Sequence, residues 1–81
     1  MNWEEKDNQL IREFKFSNFQ ETIGFMVQAA FIIEQQNHHP SWENTYNKLL
    51  IKLTTHDEGD VVTKKDRDLA KALDALFENF N

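Results

Sequence analysis

Three histidines are the residues of this chain whose type and spacing could do acid–base chemistry. His38 and His39 are adjacent and precede the only proline of the sequence, Pro40, whereas His56 lies further along the chain. Imidazole has its unperturbed pKa near neutral pH, so a histidine can both give and take a proton there. Because a helix usually stops at or before the residue preceding a proline, the tandem pair is expected at a helix exit. There the side chains can face a cleft and transfer protons.

Two carboxylates could support these imidazoles. Glu34 lies one helical turn before His38 and projects into an apolar helix face, where it must find a partner unless the helix end frays and Glu34 turns to solvent. Asp66 lies on the apolar side of the last helix, in the first turn. It can look into the site or complete a capping box with Thr63. Residue chemistry alone favours the cap for Asp66 and leaves both alternatives open for Glu34.

Composition limits the class of protein. The 81 residues, of which 40% are hydrophobic, include no cysteine and only two glycines, so we expect one domain over residues 1–81 without disulfides. A formal net charge of −5 argues against nucleic-acid binding, which depends on clustered Lys and Arg. No apolar run approaches the ~20 residues of a membrane span, and the first residues do not resemble a signal peptide. We therefore expect a cytoplasmic protein with neither nucleic-acid nor membrane partners.

The elements that must position these residues follow the order strand, strand, helix, strand, strand, helix. Alternation of apolar and polar residues indicates the strands, and tight turns are expected at Asp7-Asn8 and near Asn47-Lys48. Ser17 and Thr63 are the expected helix N-caps. The predicted strands are residues 3–6, 9–16, 42–46 and 49–55, and the predicted helices are about 18–37 and 63–80. We expect an α+β fold in which a four-stranded antiparallel sheet has both helices packed on one face, in the order β-β-α-β-β-α.

The first predicted helix is apolar around too much of its circumference for one contact. A helix covered by a single sheet needs an apolar stripe somewhat over 100° wide. We therefore expect Phe25, Ala29 and Ile32 to form a second buried surface, a subunit contact; the alternative is that they are tolerated surface residues. The other apolar face consists of Phe19, Ile23, Met26, Val27, Ala30 and Ile33.

An ordered set of motifs resembles the pterin-4a-carbinolamine dehydratase family, also called 4a-hydroxytetrahydrobiopterin dehydratases, and the similarity runs through nearly the whole chain. The motifs that carry this resemblance are Glu34, His38-His39-Pro40, Trp42, Tyr46, Thr55-His56 and Asp66. The chain departs from the family pattern between residues 57 and 63. There Gly59-Asp60-Val61-Val62-Thr63 replaces a Gly-Gly-Leu-Thr-like run and is one residue longer, which affects the shape of the loop more than the chemistry.

The resemblance implies an enzyme that removes water from a 4a-hydroxytetrahydropterin to give quinonoid dihydropterin. This reaction closes the cofactor cycle of the aromatic amino acid hydroxylases, so such a hydroxylase is a candidate partner. Both steps are proton transfers, and the resemblance implies neither a metal nor another cofactor. Members of the family form dimers and tetramers, so a homodimer or homotetramer is expected.

The resemblance also implies roles for individual residues. His38 and His56 are the expected acid and base, although the sequence does not decide which is which. His39 is expected to bind and orient the substrate and to share in proton transfer, and Asp66 to be the carboxylate beside an imidazole. The residues expected to bind the substrate, shape the pocket or support the histidine pair are Glu34, Pro40 and Trp42.

Three other functions stay open. A zinc site would use the histidines, but adjacent His38 and His39 diverge and no helical His-x-x-x-His pair exists. The chain could be a non-catalytic dimerisation or interaction module, for which the intact histidine set would be unnecessary. It could also be a dehydratase-like protein that acts on another pterin, such as a molybdopterin-related compound.

Overall fold

Four strands and two helices alternate along the chain. The computed structural model describes residues 2–80. The elements are β1 (Glu4–Lys6), β2 (Gln9–Lys15), α1 (Phe19–Gln36), β3 (Ser41–Thr45), β4 (Lys48–Leu53) and α2 (Lys64–Phe77), with 3₁₀ turns at His56–Glu58 and Glu78–Phe80. The strands form one antiparallel sheet in the order β1-β2-β4-β3. The predicted α+β fold and the order of its elements are confirmed.

The hydrophobic core lies between the sheet and the two helices. Along β4, Leu49, Ile51 and Leu53 are fully buried, whereas the intervening Leu50 and Lys52 are half-buried. The sheet therefore has one face covered by the helices and one face open to solvent. Buried residues of α1 and α2 join those of the sheet in a single cluster. Among residues 2–80, neither helix combines the length and the apolar character that crossing a membrane requires.

Both hairpins close through two-residue turns, with positive φ at both residues of the first turn and at Tyr46 in the second. Asp7 and Asn8 form the predicted first turn, with φ of 53° and 63°, a conformation that Asp and Asn tolerate. The second turn is Tyr46-Asn47, one residue earlier than predicted. A contact distant in sequence accompanies this shift, because Asn47 Nδ2 donates to the carbonyl of Phe16 at 2.9 Å. The local sequence did not contain this information.

Helix α1 is capped by a different residue from the one predicted. Asn18 is the N-cap, and its Oδ1 accepts the backbone N–H of Glu21 at 2.8 Å. The predicted cap, Ser17, donates its own backbone N–H to the Glu21 carboxylate at 3.1 Å. Asn and Ser cap helices about equally well, so the sequence alone did not distinguish them.

The residues of α1 that were expected at a subunit contact lie in the core instead, whereas only Ile33 and Met26 of the other predicted face are buried or packed against the core. Phe25 and Ala29, expected at a subunit contact, are fully buried in the core, and Ile32 packs against it. The ring centroid of Phe25 lies 5.1 Å from that of Phe14 and 5.2 Å from that of Phe16. A helical wheel counts apolar residues but not the space that the sheet leaves for them, which is why it selected the wrong face. The exposed residues of the other face are Phe19, Ile23, Val27 and Ala30.

Candidate active site

The end of α1 positions the tandem histidines. Asn37, the C-cap, adopts the left-handed conformation with φ of 50° and ψ of 45°, which Asn tolerates better than most residues. Its N–H and that of His38 bond to carbonyls of the last helical turn at 3.1 and 3.3 Å. The helix therefore ends before Pro40, and His38 and His39 lie on the irregular backbone between the two.

A closed loop after β4 positions the third histidine. Thr55 pairs with Val61 in an isolated antiparallel bridge, in which the N–H of Thr55 donates to the Val61 carbonyl at 2.9 Å. Between them the chain makes a 3₁₀ turn that begins at His56 and ends at Gly59, whose φ of +91° lies in the region that glycine favours. The bridge holds the two ends of the loop together, so His56 extends from a fixed base.

Asp66 performs both of the functions that the sequence left open. In the capping box of α2, its Oδ2 accepts the backbone N–H of Thr63 at 2.8 Å. Its other oxygen, Oδ1, lies 2.6 Å from Nε2 of His38. The side chain is fully buried, and the Thr55 hydroxyl also donates to Oδ2 at 2.7 Å. One buried carboxylate thus connects a helix cap to a histidine.

Opposing effects act on the pKa of Asp66. Burial disfavours the charged form and by itself raises the pKa, but hydrogen bonds from His38, Thr63 and Thr55 and the charge of His38 outweigh it. The net result is a pKa below the usual value, so the carboxylate is ionised at neutral pH. An ionised carboxylate only accepts hydrogen bonds, and Nε2 of His38 therefore holds a proton. Among residues 2–80, nothing is hydrogen-bonded to the other ring nitrogen, Nδ1.

The other two histidines have carboxylate partners at the surface. His56 Nδ1 lies 2.8 Å from Asp60 Oδ1, and the two side chains are 87% and 66% exposed. His39 Nε2 lies 2.6 Å from Glu34 Oε1, and both of these side chains are also exposed. The hydrogen bond and the charge of Asp60, together with the charge of Asp57, raise the pKa of His56. His56 therefore stays protonated to a higher pH than an isolated histidine.

All three histidines line one cleft of about 200 Å³. This histidine cleft lies where the end of α1, the loop after β4 and the first turn of α2 meet. Asp66 lies behind His38 and acts on the cleft through that imidazole. The other lining residues are Asn37, Thr54, Thr55, Asp57 and Lys65. The arrangement provides an imidazole with a raised pKa and an imidazole oriented by an ionised carboxylate, the groups that acid and base catalysis need.

The remaining candidate residues lie around a neighbouring cleft of about 240 Å³. This tryptophan cleft shares His39 with the histidine cleft. Glu34 is exposed and contacts His39 rather than lying within an apolar face. The residues that line the tryptophan cleft are Ala30, Ile33, Glu34, His39, Pro40 and Trp42. The structure thus divides the candidates into two adjoining groups with His39 between them.

Two contributors to the histidine cleft received no role from the sequence. Thr55 is 2% exposed, and its hydroxyl, which donates to Asp66, lies 2.7 Å from Thr63 Oγ1. Lys65 lines the cleft from the first turn of α2. Thr55 belongs to the Thr55-His56 motif of the family resemblance, although that motif gave it no role. Nothing in the local sequence distinguishes Lys65 from Lys64.

The histidines of the described chain pair with separate carboxylates and are not gathered with them into a set of metal ligands. Among residues 2–80, no group of three or more His, Asp or Glu side chains is placed to hold a metal ion. Each histidine instead has its own carboxylate partner.

Sequence comparison assigns the chain to a family. The family model for pterin 4 alpha carbinolamine dehydratase matches residues 1–76. The chain belongs to this dehydratase family. A protein from Prochlorococcus marinus that is provisionally named a pterin-4-alpha-carbinolamine dehydratase is 49% identical over 76 residues, which cover 94% of this chain and 78% of the relative. The family predicted from the ordered motifs is confirmed.

Solved structures of dehydratase-like proteins have the same fold. A transcriptional coactivator/pterin dehydratase from Brucella melitensis is 39% identical, with a TM-score of 0.88 over 93% of this chain and 81% of that chain. A pterin dehydratase-like protein, identified as a RuBisCO assembly factor in the alpha-carboxysome, is 24% identical with a TM-score of 0.74, over 91% of this chain and 84% of that chain. The second likeness concerns the fold alone.

Proposed function

We propose that the protein is a hydro-lyase that converts a 4a-hydroxytetrahydropterin to quinonoid dihydropterin and water. Membership of the dehydratase family supports the reaction class. The single observation that supports the chemistry is the histidine cleft, where three imidazoles with different carboxylate partners lie together. An enzyme that oxidises tetrahydropterin to the 4a-hydroxy compound, such as an aromatic amino acid hydroxylase, would supply the substrate.

The proposed reaction breaks one bond and forms one double bond. The C4a–O bond breaks as the leaving hydroxyl takes a proton and departs as water. The proton on N5 is removed, and its bonding electrons form the C4a=N5 double bond of the product. One acid and one base are required, and proton exchange with solvent restores both, so the steps need neither a metal nor a cofactor.

In this proposal His56 is the acid and His38 is the base. The raised pKa of His56 keeps a larger fraction of it protonated near neutral pH, as an acid requires. The Nε2–H of His38 donates to ionised Asp66, which leaves Nδ1 as the ring nitrogen that accepts the N5 proton. Asp66 also stabilises the imidazolium that forms.

His39 and the tryptophan cleft are proposed to bind and orient the substrate. His39 lies between the two clefts and is held by Glu34 at 2.6 Å, so it can fix the ring relative to the other two imidazoles. Pro40 and Trp42 bound the adjoining cleft with apolar surface. Apolar walls with few polar groups are the usual lining of small-molecule sites.

Measuring the rate of dehydration tests the proposed roles. With carbinolamine generated by a hydroxylase, the protein should accelerate the appearance of quinonoid absorbance. His38→Ala and His56→Ala should each slow this step about 10²-fold, because each removes one proton-transfer group. Gln35→Ala, which alters an exposed side chain near the end of α1, is the control and should leave the rate unchanged. An inactive wild-type protein would contradict the function, and full activity in both histidine variants would contradict the roles.

We also propose that the chain forms a homodimer or homotetramer through the exposed face of α1. Phe19, Ile23, Val27 and Phe31 are 47%, 37%, 53% and 74% exposed. They are spaced four residues apart and so form one ridge of the kind that packs into the groove of another helix. A second copy of the same helix would present the same ridge, as a symmetric contact requires.

Sedimentation tests this contact. Phe31→Glu places a charge on the ridge and should shift the protein towards smaller species. Gln28→Glu, which adds the same charge at an exposed polar position of the same helix, is the matched control. A monomeric wild-type protein, or equal shifts in both variants, would contradict the proposed contact.

A further inference from the structure

Thr55 is bonded to both of the segments that hold the proposed acid and the proposed base. Its carbonyl accepts the backbone N–H of Asp60 at 3.1 Å, which closes the loop that begins at His56. Its hydroxyl donates at 2.7 Å to Asp66, the carboxylate that bonds to His38. The residue is almost fully buried and offers a ligand hardly any surface. Any effect of Thr55 on the chemistry must therefore pass through other residues.

The directions of the hydrogen bonds beside Asp66 follow from its ionised state. An ionised carboxylate only accepts, so the single hydroxyl proton of Thr55 points to Oδ2 of Asp66. The hydroxyl oxygens of Thr55 and Thr63 lie 2.7 Å apart. Because the proton of Thr55 is already used, Thr63 is the donor of this bond. Oγ1 of Thr63 in turn accepts the backbone N–H of Lys65 at 3.3 Å. The bonds thus all point from the backbone of α2 towards Asp66.

This chain of donors can orient a carboxylate but cannot carry a proton away from it. Its far end is a backbone amide, which only donates and does not lose its proton near neutral pH. Each bond to the carboxylate favours the charged form. Asp66 therefore stays ionised while His38 holds an additional proton. The role that remains for the Thr55 hydroxyl is to fix the position of the carboxylate.

The two oxygens of Asp66 have different partners, and this difference sets the direction in which the carboxylate faces. Oδ2 accepts from the Thr55 hydroxyl at 2.7 Å and from the backbone N–H of Thr63 at 2.8 Å. Oδ1 lies 2.6 Å from Nε2 of His38. The side-chain torsion of an aspartate carboxylate has broad energy minima, so hydrogen bonds largely determine its angle. Loss of the Thr55 hydroxyl would leave Oδ2 more weakly held and Oδ1 less well directed at His38.

We infer that Thr55 is a positioning residue for the proposed dehydration, whose hydroxyl orients Asp66 and, through it, the imidazole of His38. The inference rests on the proposed function, since it takes His38 to be the base. Thr55 does not bind the substrate, so its hydroxyl should affect kcat and leave KM unchanged. A threonine that only stabilised the fold would change the free energy of unfolding and would leave kcat and the hydrogen bond of His38 unchanged.

Dehydration kinetics of three variants test this role. Thr55→Val removes the hydroxyl and keeps the branched shape, and it should lower kcat about ten-fold because the base is less well oriented. Thr55→Ser keeps the hydroxyl and should restore kcat. Thr22→Val is the matched control, because Thr22 is also fully buried and its hydroxyl donates to the Asn18 carbonyl at 2.9 Å, at the other end of α1. It should leave kcat unchanged. An unchanged kcat in Thr55→Val, or equal losses in Thr55→Val and Thr55→Ser, would overturn the inference.

Proton magnetic resonance of the His38 ring tests the same role without turnover. The Nε2–H bonded to Asp66 should give a signal downfield of the backbone amides. This signal should move upfield or broaden in Thr55→Val and stay in place in Thr55→Ser and Thr22→Val. Thr55→Ala, which places no methyl group against the carboxylate, should give the same change if Thr55→Val does not fold. An unchanged signal in the folded variant would overturn the inference. A wild-type protein without dehydratase activity would contradict the proposed function, whereas the signal would still decide whether the Thr55 hydroxyl orients His38.

Discussion

His38 and His56 line the same cleft but are held in opposite ways. His38 is 12% exposed and bonds to a carboxylate that is fully buried. His56 is 87% exposed and bonds to a carboxylate that is itself mostly in solvent. The orientation of His38 is thus set by the packed interior, whereas that of His56 depends on a surface pair that water and salt weaken.

This difference shows how the fold distributes the two tasks of proton transfer. The partner of His38 also caps α2 and accepts from Thr55, so the proposed base depends on the same hydrogen bonds that stabilise the fold. The proposed acid depends on the charges of Asp57 and Asp60, in a loop whose residues 56–60 are exposed. Mutations around His38 should therefore affect stability, and mutations around His56 should affect mainly the pH dependence of activity.

Removing the carboxylate beside His38 should have the largest effect. Asp66→Ala removes the acceptor of three hydrogen bonds, from His38, Thr55 and the backbone N–H of Thr63, and should lower the free energy of unfolding by about 3 kcal/mol. Urea denaturation measures this change. Asp60→Asn, at the carboxylate beside His56, is the control, because Asn also tolerates the positive φ of 58° at this position, and it should leave the denaturation midpoint unchanged. Equal destabilisation by the two variants would remove the contrast between the histidines.

Protonation of Asp66 at low pH should lower the free energy of unfolding, by less than the Asp66→Ala substitution does. The folded-state pKa of Asp66 lies below its usual value. Its contribution to stability is therefore fully present above the ordinary aspartate pKa and is lost as the pH falls through the lowered folded-state pKa. Unfolding free energies from about pH 6 to about pH 3 should fall more steeply for the wild type than for Asp66→Asn. Parallel curves for the two proteins would contradict this contribution, and Asp60→Asn should keep the wild-type slope.

The smallest expected effect is a shift in pH dependence at His56. Asp60→Asn removes the main cause of the raised pKa, so His56 should lose its proton at lower pH, and the alkaline limb of kcat/KM should move to lower pH. Asp57→Asn, which removes the weaker charge, should give a smaller shift in the same direction.

Nuclear magnetic resonance titration of the His56 ring checks this shift without turnover. The other charged or titratable groups that line the cleft, His38, His39 and Lys65, are unchanged in both variants. A limb that does not move in Asp60→Asn would show that His56 is not the acid. A larger shift from Asp57→Asn would contradict the assigned partner.

The sequence predicted the features of the fold that local periodicity determines. The placement of Leu49, Ile51 and Leu53 on one face, opposite the mixed pair Leu50 and Lys52, predicted both β4 and its buried face. It did not predict which side of α1 is buried, because Phe25 is placed by rings from the sheet rather than by its own helix. Contacts between segments that are distant in sequence could thus not be predicted from local patterns.

The same division applies to the candidate site. Pro40 indicated that His38 and His39 leave a helix end, and the capping pattern at Thr63 indicated the carboxylate of Asp66 at the start of α2. The hydrogen bond between His38 and Asp66 joins the segment after α1 to the first turn of α2, which is distant in sequence, and only the packed fold determines it. Lys65 likewise lines the histidine cleft only because the fold brings the first turn of α2 beside the end of α1.

Because Asp66 caps a helix as well as holding an imidazole, a descendant that had abandoned the chemistry would still need this aspartate in order to fold. No comparable need protects His56, whose ring contacts a loop at the surface. A histidine at position 56 is therefore informative when related sequences are sorted into active enzymes and proteins that have lost the activity. An aspartate at position 66 does not separate the two groups.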